Sequence, residues 1–288
     1  GLSGELELRG HAVEIILPKY DCMRTDQVWN LQVSYRDLWV PWDGGAIRCT
    51  VWFGFVHGRK CFFIEPHSAQ AYFARGTYYG FWDDPDRFAF FSKAALEFLL
   101  QSGKRPDILH AHDWQSGLVP VLLYEQYAAA GLAHQRVCYT IHNFRHQGVT
   151  GPHILRATGL HRPEYFGAPD RMGDDLDHHA INITRGAILY ANFVTTVSPH
   201  HAWEVRHTDL GCGLGPTLHR FQHKFGGILN GLDYEMWNPA IDPHIPQHYT
   251  AASVELKAVN TAALRRRMLL RPGPRPILSY VGRLDTQK

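Results

Sequence analysis

Hydrophobic positions along this 288-residue chain alternate between two patterns, one typical of buried strands and one typical of amphipathic helices. Short continuous apolar runs predict strands that are buried on both faces, because such strands need no polar alternation. Longer segments with apolar residues three or four positions apart predict helices. The strands predicted to form one mainly parallel sheet are Ala12–Leu17, Asp107–His110, Arg136–Thr140, Phe193–Val197 and Gly226–Leu229. The main predicted helices are Asp86–Gln101, Gln115–Tyr127, Ile181–Tyr190, Pro199–Arg206 and Ser253–Met268.

The alternation of strands and helices predicts an α/β fold, doubly wound around a parallel sheet. Ile47–Val56 and Cys61–Glu65 flank a polar turn at His57–Lys60, which predicts a β-hairpin. The proline- and glycine-rich segment Arg271–Pro276 precedes an apolar run at Ile277–Val281. A linker followed by a fresh strand is typical of a domain boundary. The sequence therefore predicts a doubly wound α/β domain and the first strand of a second domain.

Polar residues directly follow four of the predicted strands. They are Asp113 after the second strand, His142 and Asn143 after the third, Ser198 after the fourth and Asn230 after the fifth. The carboxyl ends of strands in an open parallel sheet meet at one edge, where such folds bind ligands. Any one of these residues alone is more often a helix cap or a turn residue. Their repeated placement is what predicts a binding site.

A metal site is the first alternative for this cluster. His110, His112 and Asp113 have a spacing found in metal-dependent hydrolases, and His142 or His146 can complete a ligand set. The hydrolase pattern requires a further aspartate and histidine directly after Asp113, and tryptophan and glutamine stand there instead. The sequence therefore predicts no metal.

Aromatic residues crowd the first third of the chain and include the run Tyr78–Asp83. Rings that lie beside polar groups suit the apolar faces and hydroxyl groups of sugars. The same residues also suit ordinary core and hairpin packing. Both interpretations remain open at this point.

Composition excludes some classes of function. The formal net charge is +2 and 19% of residues are charged, so the sequence predicts neither nucleic acid nor an anionic membrane as a partner. Five scattered cysteines, an odd number, favour reduced thiols over a disulfide framework and therefore a reducing compartment. No apolar stretch reaches the length that crosses a bilayer.

Several motifs, taken together, resemble bacterial glycogen synthases and plant starch synthases. In chain order, they are Arg105–Leu118, Tyr139–Asn143 with Gln147–Gly148, Thr195–Pro199, Gly227–Asp233 with Trp237–Pro239, and Val281–Lys288. The similarity runs from about Arg9 to Lys288. It implies a two-domain glycosyltransferase of the GT-B type, with no cofactor and no catalytic metal. The implied reaction transfers glucose from ADP-glucose to the non-reducing end of an α-1,4-glucan with retention of configuration.

The resemblance also implies catalytic residues. Asp113 and His142 match positions that line the glucosyl pocket, with His142 near the primary hydroxyl of the transferred sugar. Asn230 matches an asparagine that supports the pocket from a neighbouring strand. Arg283 and Lys288 match the pair of cations that neutralises the donor diphosphate. In the mechanism implied by the family, the leaving phosphate itself takes the acceptor proton.

Three further residues are expected to bind substrate. Tyr79 resembles an aromatic residue that closes the donor site, although the alignment also allows Tyr78. His112 and Asn143 lie within the matching motifs, next to Asp113 and His142. The expected partners are therefore ADP-glucose and a glycogen or starch primer.

The resemblance implies three parts of the chain. Residues 1–245 are expected to form the N-terminal catalytic domain without its first strand and glycine-rich loop. Residues 246–276 are expected to form an interdomain helix and linker, and residues 277–288 the start of the nucleotide-binding domain. We therefore expect an internal piece of a synthase that is inactive alone. The alternatives are a non-catalytic glucan-binding remnant or another GT-B glucosyltransferase. The expected compartment is the cytoplasm, or the plastid stroma in a plant or alga.

Overall fold

The computed structural model describes residues 1–284 and contains two compact units. One unit is Leu2–Asn230, and the other comprises Gly1 and the segment from Gly231 onward. Within the described residues, no helix has the length and apolar character needed to cross a membrane.

Strands in the described residues form two four-stranded sheets and one two-stranded sheet, all in the larger unit. They are β1 (Glu14–Pro18), β2 (Trp29–Trp42), β3 (Gly45–Val56), β4 (Arg59–Pro66), β5 (Ile108–His112), β6 (Arg136–Ile141), β7 (Val149–Thr150), β8 (Ile181–Asn182), β9 (Phe193–Thr196) and β10 (Phe225–Gly227). One four-stranded sheet has the order β10-β9-β6-β5 and is parallel throughout. These four strands confirm four of the five strands predicted for the parallel sheet.

The other four-stranded sheet is mixed, with the order β1-β4-β3-β2. β1 is parallel to β4, whereas β4, β3 and β2 form an antiparallel meander. The prediction that Ala12–Leu17 joins the parallel sheet was therefore wrong. The physical reason is that the hairpin strand β4 presents a buried apolar run, Cys61–Ile64, with which β1 pairs along its whole length.

The helices connect the strands and cover the sheets. They are α1 (Leu2–Leu8), α2 (Asp84–Gln101), α3 (Leu118–Leu122), which continues as a π-helix over Leu123–Leu132, α4 (His153–Thr158), α5 (Pro163–Phe166), α6 (Ile183–Tyr190), α7 (Pro199–His207), α8 (Gly215–Arg220) and α9 (Lys257–Arg267). Helix α2 is buried along almost its whole length and holds the core together. Its fully buried Phe90 makes edge-to-face contact with Trp42 of β2, with ring centroids 5.4 Å apart.

The second unit differs from the sequence prediction at two points. The helix predicted at Ser253–Met268 is present as a 3₁₀ turn, Ala251–Leu256, followed by α9. The strand predicted at Ile277–Val281 is wrong, because this segment has no regular secondary structure. A strand requires a neighbour to pair its backbone, and no strand of the described residues pairs with it. Apolar composition alone therefore does not make this segment a strand.

Phe90 provides a test of the core. We expect Phe90→Ala to lower the free energy of unfolding by about 3–5 kcal/mol, because it removes a buried ring and leaves a cavity. The matched control is Phe193→Ala, since Phe193 is 45% exposed at the start of β9. Urea unfolding of both variants is the measurement. Equal losses of stability would contradict the packing described here.

Candidate active site

The carboxyl ends of the four parallel strands lie at one edge of their sheet. The register pairs His112 with Thr140, Ile141 with Thr196, and Thr196 with Gly227, so the four strands end level with each other. Asp113 and His142 directly follow β5 and β6, and Asn230 follows β10. The prediction that these three residues share one edge is therefore confirmed, whereas the convergence of their side chains on one cleft stays a prediction.

Asp113 joins the ends of two strands. Its backbone has φ of 55° and ψ of 178°, in a region that residues other than glycine rarely occupy. The Asp113 amide donates a hydrogen bond to the Thr140 carbonyl oxygen at 2.9 Å. One carboxylate oxygen, Oδ1, accepts a hydrogen bond from the His142 amide at 2.7 Å. Unusual backbone geometry that is held by several contacts is found preferentially at functional sites.

Three imidazole rings lie side by side at this edge. The rings of His110 and His112 are stacked, with centroids 4.3 Å apart and an angle of 20° between the planes. His112 Nδ1 lies 3.2 Å from His142 Nε2, which is a hydrogen-bonding distance. His110 Nε2 lies 2.7 Å from the Thr140 hydroxyl, whose oxygen is also 2.6 Å from the Thr195 hydroxyl. The structure therefore brings His112 and His142 together, as expected for one site.

The histidine stack favours neutral rings. Desolvation of the imidazole, followed by the proximity of His110 and His142, lowers the pKa of His112 to about 4. Desolvation and then His142 also lower the pKa of His110. A neutral imidazole has one donor and one acceptor nitrogen. At neutral pH this edge therefore offers hydrogen bonds to hydroxyl groups and carries no concentrated positive charge from His110 and His112.

The buried side-chain amide of Gln147 holds the loop that carries His142. The Gln147 side chain donates hydrogen bonds to the carbonyl oxygens of Phe144, at 2.7 Å, and Cys212, at 2.9 Å. Its Oε1 accepts a hydrogen bond from Asn182 Nδ2 at 2.6 Å. The resemblance includes Gln147 in a motif but implies no role for it. The neighbouring residues are mostly polar, so the sequence carries no signal that this amide is buried, and its several partners become evident only in the fold.

The remaining predicted residues differ in how far the structure connects them to this edge. Asn143 lies in the same loop, where its Oδ1 accepts a hydrogen bond from the Arg145 amide at 3.0 Å. Tyr79 lies in the exposed loop before α2. Asn230 is exposed at the same edge, but β9 separates β10 from β6 and no hydrogen bond is found between Asn230 and Asp113 or His142.

Of the two predicted cations, only Arg283 lies within the described residues, and it lies outside this unit. Arg283 belongs to the second unit, where its backbone oxygen accepts a hydrogen bond from the Tyr280 hydroxyl at 2.6 Å. Lys288 lies outside the described residues. The role given to the two cations therefore stays a prediction.

The histidines do not form a metal centre in the described part of the chain. No group of three or more histidine, cysteine, aspartate or glutamate side chains within residues 1–284 is arranged to hold an ion. The rings of His110 and His112 are stacked, so the lone pairs of their nitrogens lie in nearly parallel planes and do not point at one common ion. Rings in this arrangement can each hydrogen-bond to a separate group.

Comparisons with known proteins agree on the family. The model of the starch synthase catalytic domain family matches residues 1–220. The whole chain is 61% identical to glycogen synthase 2 of Methylococcus capsulatus and 62% identical to glycogen synthase 1 of a Synechococcus strain. It spans 59% of the length of each of these two relatives. It is 44% identical to the probable starch synthase 4 of Arabidopsis thaliana, of which it spans 28%.

A solved structure agrees with the sequence comparisons. The catalytic domain of starch synthase IV from Arabidopsis thaliana, bound to ADP and acarbose, matches 96% of this chain with a TM-score of 0.87 and 44% identity. The match covers 56% of that protein. The fold is thus of the GT-B class. Within this class, the chain belongs to the starch synthase catalytic domain family.

The histidine stack predicts a pH dependence of stability. An unfolded chain protonates histidine near a pKa of about 6.5, whereas the folded state keeps His112 neutral down to a pKa of about 4. The folded pKa is lowered, so the contribution of His112 to stability is complete above the unfolded pKa and is lost as the pH falls towards the folded pKa. Between pH of about 6.5 and about 4, we therefore expect the unfolding free energy of His112→Gln to fall less than that of the parent chain.

Urea unfolding at a series of pH values between these limits is the measurement. The control is His11→Gln, because His11 is exposed near the start of the chain and is not part of the stack. If both variants lost stability with falling pH as steeply as the parent chain, the neutral stack would be contradicted.

Proposed function

We propose that this chain supplies the sugar-binding side of an ADP-glucose-dependent glucan synthase. The reaction is transfer of glucose from ADP-glucose to the non-reducing end of an α-1,4-glucan, with retention of configuration. The observation that carries the proposal is the Asp113–His142 hydrogen bond at the carboxyl edge of a parallel sheet. Family membership and the ADP- and acarbose-bound structural relative support the substrate class.

The polar edge has the chemistry that a glucosyl group needs. A carboxylate and neutral imidazoles together accept and donate hydrogen bonds to hydroxyl groups. The Asp113 carboxylate also opposes the positive charge that develops as the sugar approaches an oxocarbenium-like transition state. In this proposal His142 binds the primary hydroxyl of the glucosyl group, and His112 orients the His142 ring through their contact at 3.2 Å.

The other predicted residues complete the proposed site. Asn230 and Asn143 contribute amide groups from the ends of β10 and β6. Tyr79 closes the donor site from the loop before α2. Arg283 and Lys288 neutralise the diphosphate, which gains negative charge as the glycosidic bond breaks. The leaving phosphate takes the proton of the acceptor hydroxyl, so the proposed mechanism uses no enzymic base and no metal.

The proposed compartment is the cytoplasm, or the plastid stroma in a plant or alga. The five cysteines support it, because all are free and Cys49 and Cys61 are buried as thiols. Free thiols in apolar surroundings are typical of proteins in reducing compartments. Burial also raises the pKa of the Cys49 thiol to about 12, so it stays protonated and unreactive.

Site variants test the proposal. In a protein of the full length of the relatives, we expect Asp113→Asn and His142→Ala each to lower ADP-glucose turnover by about a hundredfold or more, because the first removes the carboxylate charge and the second removes a contact to the reacting sugar. Asparagine can still accept the hydrogen bond from the His142 amide, so Asp113→Asn isolates the effect of charge. Transfer of radiolabelled glucose to glycogen is the measurement.

The matched control is His146→Ala, since His146 lies exposed in the same loop and makes no side-chain hydrogen bond in the described structure. Thermal unfolding should differ little between the three variants. Near-normal turnover in both Asp113→Asn and His142→Ala would remove these residues from the site.

A chelator separates the proposed transferase from the hydrolase alternative. We expect glucose transfer by the full-length protein to survive dialysis against EDTA, because the mechanism relies on arginine and lysine for charge neutralisation. A parallel sample that is dialysed without chelator is the control. Loss of activity that added zinc restores would favour a metal enzyme and contradict the proposal.

A further inference from the structure

The loop before α2 exposes three large aromatic side chains close together in sequence. Trp82 is 92% exposed, Tyr79 66% and Tyr78 51%, which is unusual for residues with so much apolar surface. Tyr78 packs edge-on against Tyr20, with ring centroids 5.0 Å apart. Among these three rings, Trp82 therefore presents the largest fraction of its surface to solvent.

Two ion pairs hold this loop in place. Both carboxylate oxygens of Asp83 accept hydrogen bonds from the Arg75 guanidinium, at 2.6 and 2.7 Å. Asp84 pairs with the fully buried Arg87. Bidentate and buried pairs of this kind fix geometry more strongly than exposed ones. The exposure of Trp82 is therefore a property of an ordered loop.

The backbone of the loop is held in the same way. Asp84 Oδ2 accepts hydrogen bonds from the amides of Gly80, at 2.7 Å, and Phe81, at 3.1 Å. Gly80 has φ of 106°, which a residue with a side chain rarely adopts. The Phe81 ring contacts the guanidinium groups of Arg75 and Arg87, each 4.9 Å from its centroid. Each part of the turn that presents Tyr79 and Trp82 thus has a partner.

The two carboxylates of the loop are neutralised by two arginines. The carboxylates of Asp83 and Asp84 are each paired with an arginine, so the surface around Trp82 has no unpaired charge from these four residues. An anionic ligand such as the donor diphosphate would find no unpaired arginine among these residues and would therefore gain little binding free energy from them. A neutral ligand with apolar faces and hydroxyl groups, such as a glucan, gains most from exposed rings.

Helix α2 connects the loop to the segment that carries Asp113. The Gly76 amide donates a hydrogen bond to the Asp21 carboxylate at 2.9 Å, which ties the loop to the segment after β1. In the first turns of α2, Phe88 makes edge-to-face contact with Trp114, with ring centroids 5.3 Å apart. Trp114 directly follows Asp113. The loop and the turn after β5 are thus joined through the start of α2.

We infer that Trp82 forms a platform on the loop before α2 that binds the acceptor glucan. The inference rests on the proposed function, which supplies the glucan as ligand. Trp82 contributes an apolar face for sugar rings, and because the loop that carries it is already anchored, binding does not have to order the loop backbone.

Retention by glycogen tests this platform directly. We expect Trp82→Ala to weaken retention of the 288-residue chain in glycogen-containing native gels by about three- to tenfold in apparent affinity, the range of one aromatic stacking contact. Trp82→Phe should keep most of the retention. The matched control is Trp29→Ala, since Trp29 is 71% exposed but lies at the start of β2. Thermal unfolding of each variant serves as the check on folding.

The gel contains no donor, so its result is independent of glucose transfer. In the full-length protein, Trp82→Ala should raise KM for glycogen and leave KM for ADP-glucose unchanged. Glycogen retention that is equal in parent and Trp82→Ala, or equally weakened in Trp29→Ala, would overturn the inference. Failure of the parent chain to bind glycogen would also overturn it. Absence of ADP-glucose turnover with Trp82-dependent retention would instead count against the proposed function alone.

Discussion

The hydrogen bond from the His142 amide to the Asp113 carboxylate is the constraint on which the site depends. It joins the turn after β5 to the turn after β6 and keeps Asp113 in a backbone conformation that other residues rarely adopt. Because the parallel register brings both strand ends level, a short side chain can span the two turns. The same contact orients the loop that carries the His142 ring, and Gln147 supports that loop from the interior. The Asp113 carboxylate thus both stabilises the two turns and belongs to the proposed site.

Two clusters of ionisable groups in the larger unit avoid unpaired charge, one by favouring neutral rings and the other by pairing with an opposite charge. At the histidine stack, desolvation and the neighbouring histidines lower the pKa of His110 and His112, which favours neutral rings suited to recognition of hydroxyl groups. In the loop before α2, Asp83 stays charged and is paired with Arg75. The hydrogen bond from Arg75 lowers the pKa of Asp83, so the ion pair persists into acid. Both arrangements remove net charge from the surface that would face a neutral sugar. We therefore assign recognition of the diphosphate to residues outside these two clusters.

Sequence patterns predicted the parallel sheet because its strands appear as short, largely apolar runs, although β5 at the edge of the sheet is partly exposed. They predicted the common edge because polar residues directly follow those runs. They missed β2, whose apolar and polar residues alternate irregularly across several register shifts. The position of β1 beside β4 and the lack of a strand at Ile277–Val281 depend on which neighbours are available for pairing, and local composition does not contain that information. The contact between His112 and His142 also required the fold, since thirty residues separate them.

The most direct test of this account is a crystal structure of the full-length protein with a non-transferable ADP-glucose analogue. The account predicts that a hydroxyl group of the glucosyl unit lies within hydrogen-bonding distance, about 3 Å, of the His142 imidazole. It also predicts that the hydrogen bond from the His142 amide to Asp113 is preserved beside the bound sugar. A glucosyl unit bound away from the ends of β5 and β6, with His142 and Asp113 in contact with solvent alone, would contradict it.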